Sequence, residues 1–252
     1  MDRVDTIPRA ASTIIAMSHT HPLTEWPPSH TDTPLAVLIS GGLDSAVLIA
    51  EALRTYPRVY PIYVRVGSFW EATEEAYLHR YLAAIAAPNL HELTVLQQPV
   101  ADLYGDHWSI TGIDSPGFGT GDAESYLPGR NVLLFAKPLL WCHFHHVPEL
   151  ATAPLSTNIY SDASPAFYDG FAAMVNLAVG GNVRVLRPYV DLGFKKVDVL
   201  RRGVGLPLQH TFSCTAPVDG MLCGDCAKCE ERQGGFRNAG IADPSRYARS
   251  MR

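Results

Sequence analysis

The sequence predicts an α/β fold: a five-stranded parallel sheet with helices on both faces and a small C-terminal lobe. Three observations predict it. An apolar run at residues 35–39 turns through Ser40-Gly41-Gly42 into a stretch with apolar residues at helical spacing, Val47, Leu48, Ala50 and Leu53. Short apolar runs and helical periods then alternate as far as Arg202, the pattern of βαβ units and a parallel sheet. Last, Cys214, Cys223, Cys226 and Cys229 follow a C-x8-C-x2-C-x2-C spacing. Four thiolates without His or carboxylate make a closed tetrahedral zinc site, with no open position for a substrate.

Composition bounds the answer. The chain has 252 residues, 47% apolar and 18% charged, which suits one α/β domain with a small appendage. Net charge is −5 and no Lys/Arg block stands out, so a general electrostatic grip on nucleic acid is not expected. The longest apolar runs fall well short of the roughly 18 residues that span a bilayer. Thr13-Ile-Ile-Ala-Met17 is too short for the apolar core of a signal peptide, and a cytoplasmic location is expected. Five cysteines, four of them clustered late in the chain, point to a metal and not to disulfides.

Taken in order, residues 1–34 are rich in Thr, Pro, His and Ser and read as an extended or poorly ordered arm, with His21 and His30 in solvent. Residues 35–203 form the α/β domain, 204–237 the zinc lobe and 238–252 a tail. The second strand falls in 59–66; proline cannot donate to a ladder, so this strand is expected to start at Pro61. Residues 70–87 are helical, with a stripe of Ala72, Ala76, Leu82, Ile85 and Ala86, and 90–96 form the third strand. Residues 99–125 make a long polar loop of the kind that often serves as a lid, with Asp106 and His107 as candidates for chemistry. A helix over 132–145 carries Cys142, His143 and His145, followed by His146; their spacing closes no metal site and they read as packing or helix-end groups. The fourth strand is 150–154. Ser164 at N-cap and Pro165 at the first helical position open a helix over 166–179. The fifth strand is 182–186, and Lys195-Lys196 opens a helix to about Arg202.

The strand, glycine turn and helix start at 35–45 make an anion site. Glycines admit a ligand close to backbone, and the first amides of a helix have no internal partner. Ser40 and Ser45 add hydroxyls. Asp44 would repel a phosphate unless a Mg²⁺ lay between them. No Gly-Lys-Ser/Thr follows, so this is not a Walker loop. A second Pro-Gly turn, Tyr126-Leu-Pro-Gly-Arg130-Asn131, delivers a guanidinium suited to phosphate to another helix start. Lys195 or Lys196 is placed to neutralise charge in a transition state. In parallel sheets, ligands bind beyond the carboxyl ends of the strands. That rim holds Trp70 and Glu71 after strand two, and Asn158, Tyr160 and Asp162 after strand four, as substrate-side candidates.

The Ser40-Gly-Gly-Leu-Asp-Ser45 loop resembles the PP-loop of ATP pyrophosphatases, which split ATP to AMP and pyrophosphate. With the later Arg130-Asn131 turn and the four cysteines, in that order, the chain resembles the 7-cyano-7-deazaguanine synthase family of the queuosine pathway, over residues 35–237. The resemblance implies a Rossmann-like, adenine nucleotide alpha hydrolase-like sheet. It implies an ATP site of Leu38, Ile39, Ser40, Gly41, Gly42, Leu43, Asp44, Ser45, Val64, Arg130 and Asn131. It also implies catalytic roles for Asp44, Arg130, Lys195 and Lys196, a Mg²⁺ on Asp44, zinc on the four cysteines, and a homodimer. The reaction implied is the ATP-dependent conversion of 7-carboxy-7-deazaguanine and ammonia to the nitrile by a carbon-nitrogen ligase. Two segments depart from the family pattern. Val66-Gly-Ser-Phe-Trp70 stands where Gly-Gln-Arg-His is usual, and Ser164-Pro-Ala-Phe-Tyr168 where Tyr-Pro-Asp-Cys-Arg is usual. The alternatives are an amide ligase acting on a related deazapurine or another carboxylate, and a non-enzymatic zinc-dependent nucleic-acid-binding regulator. A tRNA thiolase would need reactive cysteines, and zinc claims all but Cys142.

Overall fold

A computed structural model describes residues 23–121 and 124–249. Its five strands are β1 (Leu35–Leu38), β2 (Val59–Arg65), β3 (Thr94–Gln97), β4 (Glu149–Ala151) and β5 (Arg184–Leu186). They form one sheet in the order β3-β2-β1-β4-β5, every pairing parallel. The helices are α1 (Leu43–Ala52), α2 (Glu71–Ala84), α3 (Ala101–Tyr104), α4 (Trp108–Thr111), α5 (Arg130–Phe144), α6 (Pro165–Val179), α7 (Pro188–Asp191), α8 (Lys196–Arg202) and α9 (Ala227–Ala239).

Side chains alternate across β1, and each face finds its own cover. Leu35, Val37 and Ile39 join a core with Leu48 and Ile49 of α1, Leu78 and Tyr81 of α2, and Val199 and Leu200 of α8. Ala36 joins the opposite core with Phe135 and Leu139 of α5 and Tyr168 and Ala172 of α6. The sheet is thus covered on both faces, as the sequence predicts. Leu48 and Ile49 are fully buried, and each such side chain contributes about 1.5–3 kcal/mol of transfer free energy.

Several elements differ from the sequence expectation. Pro61 lies inside β2, opposite Val37, and does not begin the strand. Val59 turns its amide to Asn89, on the β3 side, and Ile62 turns its carbonyl to Ile39 of the β1 side. By that alternation Pro61 faces β3, between the isolated Val59–Leu90 bridge and the first ladder pair, Ile62–Thr94, so its missing N–H interrupts no bond. In α2 the buried face is Tyr77, Leu78 and Tyr81, while Ala72 and Ala76 are exposed. The 99–125 loop contains the short helices α3 and α4. Other local readings hold: Ser164 Oγ accepts from the Phe167 amide at 3.2 Å, with Pro165 opening α6.

Residues 23–34 form no helix or strand but are anchored. Trp26 is buried and donates through Nε1 to Glu51 at 3.2 Å, and Arg202 donates to the Trp26 carbonyl at 2.7 Å. His30 is exposed beside Asp32. His21 and the rest of the arm lie outside the described residues. Cys142 is buried in the α5 face of the core, and burial pushes its thiol up to about 12. His145 stacks on Trp141 with ring centroids 4.1 Å apart. Both behave as packing groups.

The chain runs from β1 outward to β3, then crosses back to place β4 on the other side of β1. The strand order therefore reverses between β1 and β4, and a crevice opens beyond their carboxyl ends.

Candidate active site

A cavity of about 360 Å³ occupies that crevice. Its lining includes Ile39 and Ser40 after β1, Val64 of β2 and Val66 just after it, Thr152 and Pro154 after β4, and Lys196 of α8. The loop after β1 is built for close approach. Gly41 adopts φ +75°, and a Cβ there would stand 3.3 Å from the Glu74 Cγ and carbonyl. Ser45 Oγ is spent holding the loop, accepting from the Ser40 amide at 3.2 Å and donating to the Gly42 carbonyl at 3.3 Å. No side chain caps the α1 N-terminus at Gly42, so its first-turn amides remain available to a ligand.

Asp44 stands in the first turn of α1. Its Oδ2 lies 2.5 Å from Lys196 Nζ, and its Oδ1 is buried with no hydrogen-bond partner. Lys196 also reaches Glu231 at 3.1 Å, and Lys228 meets Glu231 at 2.9 Å. Burial alone would lower the Lys196 ammonium, but Asp44 and Glu231 outweigh it and raise its pKa. Burial likewise opposes the charge of Glu231, and the two lysines outweigh it, holding the carboxyl at about 2.

Arg130 opens α5 after Gly129, whose φ of 73° makes the turn. Asn131 is fixed twice to Asp162, its amide on Oδ2 at 3.2 Å and its Nδ2 on the carbonyl at 2.8 Å. This clamp sets the start of α5 and aims Arg130 into the cavity, where its Nε has no partner. Facing it, Glu74 accepts from Tyr63 Oη at 2.7 Å. Burial raises the Glu74 carboxyl to about 7, against the lowering influence of Tyr63 and Arg130.

Of the residues the sequence singles out, Leu38, Ile39, Ser40, Gly42, Leu43, Asp44, Ser45, Val64, Trp70, Glu71, Arg130, Asn131, Asn158 and Lys196 all line this one cavity. Gly41, Lys195, Tyr160 and Asp162 do not. Gly41 shapes the loop from behind, its carbonyl accepting from the Phe212 amide at 2.8 Å. Lys195 is exposed at the start of α8, its amide bound by Asp198 at 2.9 Å. Tyr160 stacks on Tyr126 at 4.8 Å. Glu71 also binds the Val66 and Gly67 amides at 2.6 and 2.9 Å, fixing the turn after β2. Trp70 is buried against Trp108 and the cysteine lobe. Sequence reasoning missed Tyr63, Glu74, Lys228 and Glu231. Only the last two carried a signal: they lie three residues apart just after Cys226.

The four cysteines are buried, and their sulfurs lie within 4.8 Å of one another. Cys223 and Cys229 are 3.8 Å apart, Cys226 and Cys214 3.9 Å. A metal–sulfur distance of about 2.3 Å gives a tetrahedron with edges of about 3.8 Å, so the donors fit a metal ion. Backbone amides of Cys223, Gly224, Asp225 and Cys229 point at sulfurs at 3.3–3.4 Å and complete the outer shell. No other group of three or more potential metal ligands occurs among the described residues, and no helix among them is long and apolar enough to cross a membrane.

A parallel sheet of this order, with Ser-Gly-Gly-x-Asp-Ser at its switch point, defines a PP-loop α/β protein. Comparison with known proteins narrows the class. The family described as queuosine biosynthesis protein QueC matches residues 35–240. The 7-cyano-7-deazaguanine synthase of Azoarcus sp. strain BH72 is 32% identical over 237 residues, covering 86% of this chain and 98% of its own. Those of Pseudomonas fluorescens strain SBW25 and Xanthomonas oryzae pv. oryzae strain PXO99A are 31% and 34% identical over 227 residues, each covering 84% of this chain and 96% of its own. Among solved structures, the U34-tRNA thiolase NcsA of Methanococcus maripaludis overlaps 83% of this chain and 67% of its own at a TM-score of 0.42 and 12% identity. The chain belongs to the QueC family of queuosine biosynthesis enzymes.

Proposed function

We propose that the chain makes 7-cyano-7-deazaguanine from 7-carboxy-7-deazaguanine and ammonia, with ATP as the adenylating agent. The relatives' name suggests the product. One observation carries the ATP half: Asp44 pairs one oxygen with Lys196 and keeps the other buried and unpartnered, in the first turn of an uncapped helix that opens on the cavity. In this reading the loop amides hold the phosphates, and Leu38, Ile39, Leu43 and Val64 wall the adenine. A carboxylate oxygen of the substrate attacks the α-phosphorus and pyrophosphate leaves. Lys196 and Arg130 offset the charge that builds on the phosphoryl oxygens. Ammonia then attacks the activated carbon; AMP leaves with the oxygen and a proton is released as the amide forms. The amide oxygen is adenylated by a second ATP, and loss of AMP and of both nitrogen protons leaves the nitrile.

The free oxygen of Asp44 suits a Mg²⁺, which when bound supplies charge neutralisation between the carboxylate and the phosphates. The all-thiolate donor set suits a structural Zn²⁺. In this reading the base lies against Trp70, Glu71 and Asn158, which line the same cavity. The reading further takes the enzyme to be a cytoplasmic homodimer with an ATP-binding domain at 35–203 and a zinc lobe at 204–237. Incubation with ATP, ammonium and 7-carboxy-7-deazaguanine tests it, with amide and nitrile followed by mass. Nitrile is expected. The departures at Val66–Trp70 and Ser164–Tyr168 favour one second reading, an amide ligase, for which the amide would be the end product.

A further inference from the structure

We infer that Glu231 and Gly235, one turn apart on α9, form a track that aims Lys196 at Asp44 and at the phosphates, so that Glu231 is a positioning residue for adenylation. The inference rests on the proposed role of Lys196. Lys196 has only 19% of its side chain exposed and must pass between α8 and α9 to reach the cavity. Gly235 makes the passage: a Cβ there would lie 2.8 Å from Lys196 Cγ and 3.2 Å from Leu200 Cδ1. The clashing atom is in the middle of the lysine stem, so the stem itself would have to move. Glu231, four residues earlier and on the same face of the helix, takes the other end of the side chain, with Oε1 3.1 Å from Nζ. Its second oxygen is held by Lys228 at 2.9 Å, which keeps the carboxylate from swinging away. Asp44 is the second carboxylate on the ammonium, at 2.5 Å. A flexible four-carbon stem is ordered along its length by glycine, carboxylate and carboxylate in turn, where one ion pair would leave it several rotamers.

The track also has a fixed origin. α9 is capped at its N-terminus by Cys226, whose sulfur accepts from the Cys229 amide at 3.4 Å, and Glu231 lies two residues beyond Cys229. The helix that carries the track is therefore anchored by the cysteine cluster, and α8 packs along it. This geometry gives the lobe a role in the chemistry of the cavity, because it holds the residue that holds the lysine.

Two measurements on Glu231→Leu, Glu231→Gln and Gly235→Ala test the inference, with melting temperature and metal content showing that each variant is folded. The first is labelling by an acyl-phosphate derivative of ATP, which transfers its acyl group to an amine facing the phosphates and releases ATP. In the wild type the label is expected on Lys196 and not on the adjacent, exposed Lys195. In Glu231→Leu and Gly235→Ala that selectivity should be lost, and in Glu231→Gln, which keeps an acceptor oxygen, it should remain. The second is steady-state AMP formation, where Glu231→Leu should lower kcat by about a hundredfold, the cost of misplacing a group by about 1 Å, with KM for ATP little changed and with recovery in Glu231→Gln. Wild-type selectivity for Lys196 that survives unchanged in both Glu231→Leu and Gly235→Ala overturns the positioning role. A wild type that takes no label on any lysine overturns the nucleotide reading instead.

Discussion

Tyr63 Oη donates to Glu74 at 2.7 Å, tying β2 to α2 at the rim of the cavity. The same carboxylate lies within the influence of Arg130 of α5 and of Glu71 on its own helix, and burial dominates, raising it from 4.5 to about 7. A carboxyl raised on folding holds a proton that the unfolded chain releases. Between about 4.5 and 7 the folded state binds more protons, so this group makes stability fall as pH rises through that window. Glu74→Gln cannot ionise and escapes the loss. Its melting temperature relative to wild type should therefore rise between about pH 5 and pH 8. A difference that stays constant across that range would show that Glu74 keeps an ordinary value.

Asp44→Ala should abolish ATP cleavage and leave the fold intact. Lys196 keeps Glu231 as a partner, so no buried charge is left alone. What is lost is the only carboxylate in the first turn of α1, with its free oxygen. A fall in AMP release of about a hundredfold or more is expected, in the range for removing one preorganised electrostatic group. Circular dichroism and AMP release check both halves; an unchanged rate would sink the assignment.

AMP and pyrophosphate should be the nucleotide products, not ADP and phosphate. The loop after β1 has no Walker lysine, and the cations near it, Lys196 and Arg130, come from other elements that face the same cavity. Chromatography of a single turnover decides. ADP as the main product would exclude attack at the α-phosphorus.

The loop at 40–45 was legible because its signals are local: a buried strand, glycines, a helix period and an acid, all within about a dozen residues. The same holds for the cysteine spacing and for the Ser164-Pro165 cap. What stayed hidden depends on distance. Lys196 and Asp44 are 152 residues apart, and nothing near either one names the other. Glu74 lies outside the apolar stripe that the sequence shows in this helix, yet it turns into the cavity because Tyr77, Leu78 and Tyr81 take the buried face. Tyrosine is amphipathic enough that such a face escapes an apolar count, while Ala72 and Ala76 register in it and remain outside. Pro61 misled for a related reason: its tolerance comes from a gap in the ladder to β3, which only pairing reveals.

Removing the metal should cost more than the lobe. Cys214, Cys223, Cys226 and Cys229 are expected to bind one zinc at about 2.3 Å per sulfur. Without an ion, nothing holds the four buried sulfurs together as thiolates, and the amides that point at them lose a charged acceptor. Structural zinc in small peptides is worth on the order of 10–16 kcal/mol, against about 5–15 for a whole domain. The cluster packs on Trp70, Tyr77 and Phe212, so its loss reaches α2 as well as α9. Phe212 in turn donates its amide to the Gly41 carbonyl at 2.8 Å, so the loop after β1 leans on the lobe. Cys226→Ser or chelation should therefore lower the melting temperature, abolish turnover and weaken ATP binding, with the sheet retained. Zinc content, thermal unfolding and ATP affinity measured on the same sample separate these effects. A variant that loses zinc yet keeps wild-type stability and turnover would show that the cluster does not support the site.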